Sequence, residues 1–275
     1  MAEVATYLCV CIRRCGYQAE RTINQVTSQH HNIIVCGHLL KEGHLAHLPR
    51  NTVLFNSEQL EDKLGWHLSS GTYRRIIDSH FVWDYSAHNL ATISHEWKVA
   101  IPFHYCAALR RTNLKRTCGE TLLFYGALSK RRRSIVAELR DAGVKVRVLF
   151  DVYGNARDAE MFNSWAVLNL HKSDSTNVFE PVRCFYPLIN RIPVISESFR
   201  REPLTAVFEQ SLFVAGTETL IEDIVALYED RESLEDKAIP LMESFARTDP
   251  IPYFEEALAR YFAFLEVDST AGLAK

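Results

Sequence analysis

Thr121-Leu-Leu-Phe-Tyr125, Ala166-Val-Leu-Asn-Leu-His171 and Ile192-Pro-Val-Ile-Ser196 are the stretches that decide the fold. Each is a short apolar run, as is typical of a strand buried in a parallel sheet. A further strand is predicted at 144–150, and amphipathic helical patterns separate or follow the strands at 129–142, 155–164, 179–190, 217–228 and 253–265. This alternation predicts a doubly wound α/β sheet, whose ligands bind at the carboxyl ends of the strands.

The N-terminal half shows the same rhythm less clearly. Strands are predicted at Thr6–Ile12, Asn32–Cys36, Thr52–Asn56, Phe81–Trp83 and Val99–Pro102. Helices are predicted at 18–29 and 57–79. The polar stretch 110–116 marks a boundary between domains. We therefore predict an N-terminal domain at 1–116, a second domain at 117–248 and a C-terminal helix at 249–275.

Composition narrows the class of protein. The 275 residues carry a formal net charge of −3, which argues against nucleic-acid binding by the protein surface as a whole. Without a long apolar run or a signal pattern, we expect a cytoplasmic protein with no transmembrane segment. The seven cysteines are odd in number and scattered, which indicates reduced thiols. Cys9, Cys11 and Cys15 lack a second ligand pair, so no metal site is expected.

A glycine turn suggests an anion site. Gly126 stands between a predicted strand and a helix, and Ser129 is a plausible N-cap that leaves amide N–H groups free. Lys130 to Arg133 place basic side chains in the first helical turn, where they oppose the helix dipole. A bound diphosphate would explain them, and a solvated basic face is the alternative. The pattern is neither a Walker A motif nor GxGxxG.

Glu180 and Arg183 are three residues apart at the start of the helix that follows the Asn169-Leu-His171 strand. This spacing places them on one helix face. The carboxylate could accept both hydroxyls of a ribose, and Arg183 could pair with Glu180 or reach phosphate. A surface ion pair is the other interpretation.

A family resemblance covers about residues 121–230. Phe179-Glu-Pro-Val-Arg183 before Pro193-Val-Ile-Ser-Glu197, with Leu123-Phe-Tyr-Gly-Ala-Leu-Ser129 and Val148-Leu-Phe-Asp-Val-Tyr-Gly154 upstream, resembles bacterial "group 1" GT-B glycosyltransferases. The N-terminal half resembles their acceptor side more loosely, at Val53-Leu-Phe-Asn-Ser-Glu-Gln59 and Val82-Trp-Asp-Tyr-Ser-Ala-His-Asn89. The resemblance implies a GT-B fold. Two Rossmann-like domains would face across a cleft, with C-terminal helices packing back towards the N-terminal domain.

The resemblance also implies a nucleotide-sugar site. The donor, for instance a UDP-sugar, would be bound by Gly126, Tyr153, Gly154, Glu180 and Arg183. His171 and Asn177 would lie near the diphosphate or the sugar, and Ser129 and Arg132 belong to the anion loop. Two features depart from the family pattern. A second glutamate eight residues from Glu180 is missing, and Asn190-Arg191 replace the usual glycine, although Asn tolerates a left-handed turn.

These residues predict an enzyme that moves a hexosyl or pentosyl group from a nucleotide diphosphate-sugar to an acceptor hydroxyl. The nucleotide-sugar is a substrate, so no cofactor is expected. No Asp-x-Asp pair follows a strand, and we expect catalysis without a metal ion. Candidate bases are Asp84, Glu58 and His38, each close to a strand end. A retaining enzyme would need no such base.

The acceptor is left open as a surface glycan, a lipid-linked glycan or another small molecule. One alternative is a phage-type glycosyltransferase that acts on modified DNA bases, with 110–116 and 130–133 as its phosphate contacts. Another is a GT-B protein that binds nucleotide-sugar without turnover.

Overall fold

The computed structural model describes residues 1–60, 71–117, 119–175 and 177–272. Its contacts divide the chain into two compact units. Unit 1 contains Met1–Phe103, Glu202–Leu204 and Asp249–Lys275, and unit 2 contains His104–Arg201 and Thr205–Thr248. Each unit has one parallel sheet that alternates with helices, which confirms the predicted α/β class.

The sheet of unit 1 has four parallel strands in the order β1-β2-β3-β4. They are β1 (Asn32–Val35), β2 (Thr52–Asn56), β3 (Phe81–Asp84) and β4 (Lys98–Ala100). The helices of this unit are α1 (Ala2–Arg14), α2 (Glu42–Leu45), α3 (Thr72–Ser79), α4 (Ala87–Ala91) and α11 (Ile251–Gly272). Strands β2 and β3 are buried along their whole length, as their continuous apolar sequences predict.

The beginning of the chain differs from the prediction. Residues 2–14 form helix α1, whereas a strand was expected at Thr6–Ile12. The buried residues of this segment are Val4, Tyr7, Leu8, Cys11 and Ile12. Their spacing of three and four residues is that of one helix face, so burial favours a helix over a strand.

Two other predicted elements of unit 1 also changed. Residues 18–29 are irregular instead of helical, with a bend at Asn24, whose φ of 55° is left-handed. Of the helix predicted at 57–79, Thr72 to Ser79 form α3, whereas residues 57–60 are not helical. Residues 61–70 of that prediction lie outside the described residues.

Helix α11 packs on unit 1 through aromatic side chains. The ring of Phe254 lies 5.9 Å from that of Trp83 and 5.8 Å from that of Tyr7. The ring of Tyr261 lies 5.6 Å from that of Phe81. The predicted packing of the last helix against the N-terminal domain is therefore confirmed.

The sheet of unit 2 has five parallel strands in the order β6-β5-β7-β8-β9. They are β5 (Leu122–Tyr125), β6 (Val146–Leu149), β7 (Ala166–Asn169), β8 (Val194–Glu197) and β9 (Phe213–Ala215). The helices are α5 (Lys130–Asp141), α6 (Gly154–Phe162), α7 (Pro181–Ile189), α8 (Ala206–Glu209), α9 (Leu220–Glu229) and α10 (Arg231–Ala246). The chain passes from β5 outward to β6 and returns to β7 on the other side of β5. This reversal creates a topological switch point between β5 and β7.

Most predicted elements of unit 2 are present, and α5 ends before Gly143, whose φ is 88°. Strand β9 and helix α10, which contains Pro240, were not predicted. A proline inside a helical pattern normally argues for an end or a kink, which hides α10 in the sequence. Among the described residues, no helix is long and apolar enough to cross a membrane.

Candidate functional site

The candidate site of unit 2 is built where β5 and β7 end, at the switch point of the sheet. Gly126 follows β5 with a φ of 123°, a conformation that favours glycine. A Cβ atom at this position would lie 3.4 Å from Nη2 of Arg183. Glycine therefore serves both the backbone turn and the close approach of an arginine.

Helix α5 begins beside this turn with a basic first turn. Ser129 is its N-cap, and its hydroxyl accepts a hydrogen bond of 3.2 Å from the backbone N–H of Arg132. Lys130 and Arg133 are exposed, whereas Arg131 is half-buried and Arg132 is buried. The basic run is therefore not a uniformly solvated face, because two of its four side chains turn inward.

The guanidinium group of Arg132 is held on every side. It donates to the carbonyl oxygen of Leu170 from Nε at 3.0 Å and from Nη2 at 2.6 Å, and to that of Ala127 at 3.0 Å. Its Nη2 also lies 2.7 Å from Oε1 of Glu180. Burial lowers the pKa of Arg132 to about 10, against the opposing effect of Glu180. The group remains charged at neutral pH.

Glu180 joins two arginines. Its Oε2 lies 2.7 Å from Nη2 of Arg183, so the predicted i,i+3 pair is formed, and its Oε1 binds Arg132. Burial acts to raise the pKa of Glu180, but Arg183 and Arg132 together lower it below its usual value. The carboxylate is ionised and has a guanidinium on each oxygen. Its main structural effect is to orient the two arginines.

Arg183 is positioned as tightly as Arg132. Its Nη1 donates to Oδ1 of Asn169 at 2.7 Å, and its Nε donates to the carbonyl oxygen of Tyr125 at 3.2 Å. Its guanidinium carbon lies 5.2 Å from the ring centroid of Phe124, and that of Arg132 lies 5.4 Å from the same ring. The ends of β5 and β7 therefore hold two like charges side by side, with Glu180 as their counterion.

His171 lies at the same edge of the sheet. It is 4% exposed, and its backbone N–H donates to Oε2 of Glu197 at 3.0 Å. Its Nε2 lies 2.8 Å from the carbonyl oxygen of Ser198, an acceptor, so Nε2 carries a proton. Its Nδ1 is buried and has no hydrogen-bond partner in the part of the chain that the structure describes. A buried polar atom of this kind is suited to a ligand.

Glu197 and Arg131 complete the cluster; Arg131 belongs to the predicted basic turn, whereas Glu197 was not among the predicted donor-site residues. Glu197 ends β8 with 1% exposure, and Arg131 donates to both of its carboxylate oxygens, from Nη1 to Oε2 at 2.9 Å and from Nη2 to Oε1. Arg131 also pairs with the exposed Asp174. The signal for Glu197 was its place directly after a buried strand, at the edge where ligands bind.

The remaining predicted donor residues lie on the surrounding loops. Tyr153 is 69% exposed and precedes α6, and Gly154 begins that helix with a φ of 57°. Asn177 is exposed, and its carbonyl oxygen accepts from the backbone N–H of Arg200 at 2.8 Å. Their contacts with a donor stay predictions.

Two arginines of the predicted phosphate-contacting stretch are already engaged within unit 2. Nε of Arg111 lies 3.4 Å from Oδ2 of Asp158, and Nη2 donates to Oδ1 of Asn155 at 2.5 Å. Arg116 donates to the backbone carbonyl oxygen of Trp165 at 2.7 Å. These contacts reduce the number of charges available to a DNA backbone.

In unit 1, the structure buries Asp84. This residue ends β3 with 0% exposure and accepts from the backbone N–H of Ser86 at 2.8 Å. It also accepts from the side-chain amides of Asn56 at 2.5 Å and Asn89 at 3.1 Å. Burial raises its pKa to about 7, although these three donors oppose the shift. Without exposure to solvent, Asp84 holds the strand ends together and is poorly placed to reach a substrate.

The other two candidate bases lie next to each other. Nδ1 of His38 is 3.2 Å from Oε1 of Glu58, with the side chains 12% and 29% exposed. His38 belongs to the turn after β1, and Glu58 follows β2, where its backbone N–H donates to Oδ1 of Asn56 at 3.0 Å. A histidine next to a carboxylate can act as a general base, so this pair fits that role better than Asp84.

In the described ranges, no three His, Cys, Asp or Glu side chains are grouped closely enough to hold a metal ion. The three cysteines near the N-terminus lie on or directly after α1, where Cys11 is buried and Cys9 and Cys15 are half-buried. Burial raises the pKa of the Cys9 and Cys15 thiols. Metal independence stays a prediction.

Sequence comparison finds relatives of viral origin. No family model matches the chain. The chain is 30% identical over 172 residues to uncharacterized protein L140 of Acanthamoeba polyphaga mimivirus. This alignment covers 61% of the chain and 55% of L140. The chain is 29% identical over 179 residues to uncharacterized protein L138 of the same virus. This alignment covers 63% of the chain and 20% of L138. The chain spans about half of L140 and a fifth of L138.

Solved structures that resemble this chain in fold include glycosyltransferases. A mutant of S. aureus TarM, solved with fondaparinux, alpha-GlcNAc-glycerol and UDP, superposes with a TM-score of 0.53 at 12% identity, over 76% of this chain and 50% of TarM. WaaG, a glycosyltransferase involved in lipopolysaccharide biosynthesis, gives 0.52 at 11% identity, over 74% and 73%. The fold is GT-B. At these identities the GT-B likeness establishes the fold, and the chemistry depends on the site.

Proposed function

We propose that this chain is a glycosyltransferase that moves a sugar from a nucleoside diphosphate-sugar to an acceptor hydroxyl. The observation that carries the proposal is the arginine cluster of Arg131, Arg132 and Arg183 at the switch point of unit 2. Ligands of open α/β sheets bind at this place. The cluster also contains His171, with its buried and unpaired Nδ1.

The charges of the cluster suit a diphosphate. The three arginines exceed the two buried glutamates, Glu180 and Glu197, by one charge. The exposed Asp174 on Arg131 offsets that charge, and the exposed Lys130 adds one positive charge at the start of α5. A sugar that leaves a nucleoside diphosphate transfers negative charge to the β-phosphate. Fixed positive groups in a partly buried site stabilise that charge without rearrangement.

The finer parts of the proposal follow from the predicted site. His38 with Glu58 would deprotonate the acceptor hydroxyl if the reaction inverts the anomeric centre. We expect transfer of a hexosyl or pentosyl group in the cytoplasm, with no cofactor and no metal ion. The acceptor would be a glycan, a lipid-linked glycan or another small molecule with a free hydroxyl.

The test begins with binding and continues with turnover. Nucleoside diphosphate-sugars of different bases and sugars are screened by thermal shift, and the best one is measured by calorimetry. The same donor is then incubated with the protein and with candidate acceptors, with and without EDTA, and the products are identified by mass spectrometry.

Three results are distinguishable. Release of nucleoside diphosphate with a glycosylated product in the presence of EDTA supports the full proposal. Tight binding without donor consumption would instead identify a nucleotide-sugar-binding protein. If no sugar nucleotide stabilises the protein or is consumed, the proposed function is wrong.

A further inference from the structure

A strained arginine marks a second place in unit 2. Arg191, in the turn between α7 and β8, has a φ of 58°, whereas Asn190 before it has a φ of −91°. Of the two residues that replace the family's glycine, Arg191 and not Asn190 takes the left-handed conformation. A residue with a Cβ atom is disfavoured there and glycine is not, so the presence of arginine needs a reason.

Arg191 lies on the rim of a cavity of about 50 Å³. Its apolar lining residues are Leu188 and Ile189 of α7 with Ile239, Met242 and Ala246 of α10. Its polar lining residues, called the rim below, are Tyr105, Arg110, Arg191 and Glu243. A volume of this size has room for several water-sized groups.

The two arginines on the rim are available to a ligand. Both are exposed, and neither guanidinium group has a hydrogen-bond or ion-pair partner among the described residues. Their neighbours Arg111 and Arg116 are, in contrast, bound to protein groups. The one acid of the rim, Glu243, lies 4.0 Å from Nη2 of Arg247. The rim is therefore net positive.

This cavity is separate from the arginine cluster. Arg191 stands before β8, at the amino end of the sheet, whereas His171 and Glu197 lie at the carboxyl ends of β7 and β8. The cavity is lined by residues at the carboxyl end of α7. The arginine cluster instead includes Glu180 and Arg183, at the start of that helix.

We propose that the cavity binds a small amphiphilic anion, in which one phosphate or carboxylate group is attached to a short apolar stem. The anion would be bound by the guanidinium groups of Arg110 and Arg191, and the stem would lie on Leu188, Ile239 and Met242. Two planar guanidinium groups suit an oxyanion, and the apolar lining residues disfavour a ligand that is charged along its whole length.

The probe is hexyl phosphate, measured by calorimetry on the whole chain with inorganic phosphate and hexanol for comparison. We expect hexyl phosphate to bind at least tenfold more tightly than either half alone. Arg191→Gly and Arg110→Ala should each weaken its binding about tenfold or more, because each removes one charge-assisted hydrogen-bonding fork. Arg147→Ala, on an exposed ion pair elsewhere in unit 2, is the matched control and should bind normally.

Arg191→Gly separates ligand binding from folding. Glycine suits a φ of 58°, so the unfolding temperature should rise while hexyl phosphate binding falls. Unchanged affinity in both arginine variants would overturn the proposal, as would inorganic phosphate that binds as tightly as hexyl phosphate. Loss of binding in Arg183→Ala alone would place the probe in the arginine cluster, and that result also overturns it.

Discussion

Both units have a parallel sheet. At the strand ends of unit 1, polar groups bind one another, whereas at the strand ends of unit 2 charged arginines gather. In unit 1 the strands follow each other in chain order, so no switch point forms among the described strands. Its polar strand-end groups bind one another, as Asp84 does with Asn56 and Asn89. In unit 2 the order reverses beside β5, and arginines gather at the reversal.

The two sheets differ in strand order and also in the side chains at their strand ends, and both differences favour a ligand site in unit 2. A buried acid with three donors stabilises a turn, because its acceptor capacity is taken up by the protein. A buried set of arginines with fewer acids retains net charge that a ligand can neutralise. The end of a parallel strand therefore serves stability at Asp84 of unit 1 and, as we propose, binding at the arginine cluster of unit 2.

The largest expected effect is on ligand affinity in unit 2. Arg183→Ala should lower nucleoside diphosphate-sugar affinity about 100-fold, which corresponds to about 2.7 kcal/mol at 25 °C, because it removes a preorganised positive charge. Arg183→Lys should recover part of that loss, since it keeps the charge but not the planar fork. Calorimetry with the best donor measures both, and Arg147→Ala, on an exposed ion pair elsewhere in unit 2, serves as the control. An equal donor affinity in wild type and Arg183→Ala would contradict the proposal that the strand ends of unit 2 bind the donor.

The next effect is on stability in unit 1. Asp84→Asn should lower the free energy of unfolding by about 2 kcal/mol, because the new amide N–H group would face the Asn56 amide, which is also a donor. Donor affinity in unit 2 should not change. Urea unfolding and calorimetry on the same preparation check both halves of this prediction.

The effect of Asp84→Asn should also depend on pH. The pKa of Asp84 is about 7 in the folded chain against 3.8 as the ordinary value, so the folded state retains a proton that the unfolded state releases. Wild-type stability therefore falls as pH rises through the window between about 4 and 7. The stability difference between wild type and Asp84→Asn should shrink by roughly 1–3 kcal/mol from pH 5 to pH 8. A constant difference across this range would show that Asp84 titrates near its ordinary value.

Glu180 should show a smaller, mixed effect. Glu180→Gln should lower donor affinity about tenfold, because Arg132 and Arg183 lose the charge that orients them. The pKa of Glu180 is lowered in the fold, so its contribution to stability is present above its ordinary pKa of 4.5 and is lost as pH falls below it. The stability gap between wild type and Glu180→Gln should therefore narrow at acid pH, as urea unfolding at pH 3.5 and pH 7 would show. A gap that widens in acid would contradict the role of counterion.

His171 should give the smallest effect. His171→Gln can keep the hydrogen bond to Ser198 but lacks an atom at Nδ1, and His171→Asn offers one at that place. We expect His171→Gln to bind the donor about fivefold more weakly, or about 1 kcal/mol, and His171→Asn to lose less. The reverse order in calorimetry would show that Nδ1 does not face the ligand.

Local sequence predicted the strands of this fold better than its site. β2 matches its prediction of 52–56 residue for residue, because a buried parallel strand is a continuous apolar run. α1 was missed, since an apolar segment this short suits either period and only burial decides. The pairing of His38 with Glu58 and of Arg131 with Glu197 joins residues 20 and 66 positions apart. Such contacts depend on the fold, which local patterns do not contain.

The position of α11 in unit 1 has a consequence for synthesis on the ribosome. Phe254 and Tyr261 fill the core beside Trp83 and Phe81, although the whole of unit 2 is translated before them. Unit 2 can therefore complete its sheet while unit 1 still lacks a covering helix. During that interval the aromatic face of the first unit needs protection from aggregation. Vectorial folding of this chain thus finishes the later unit first.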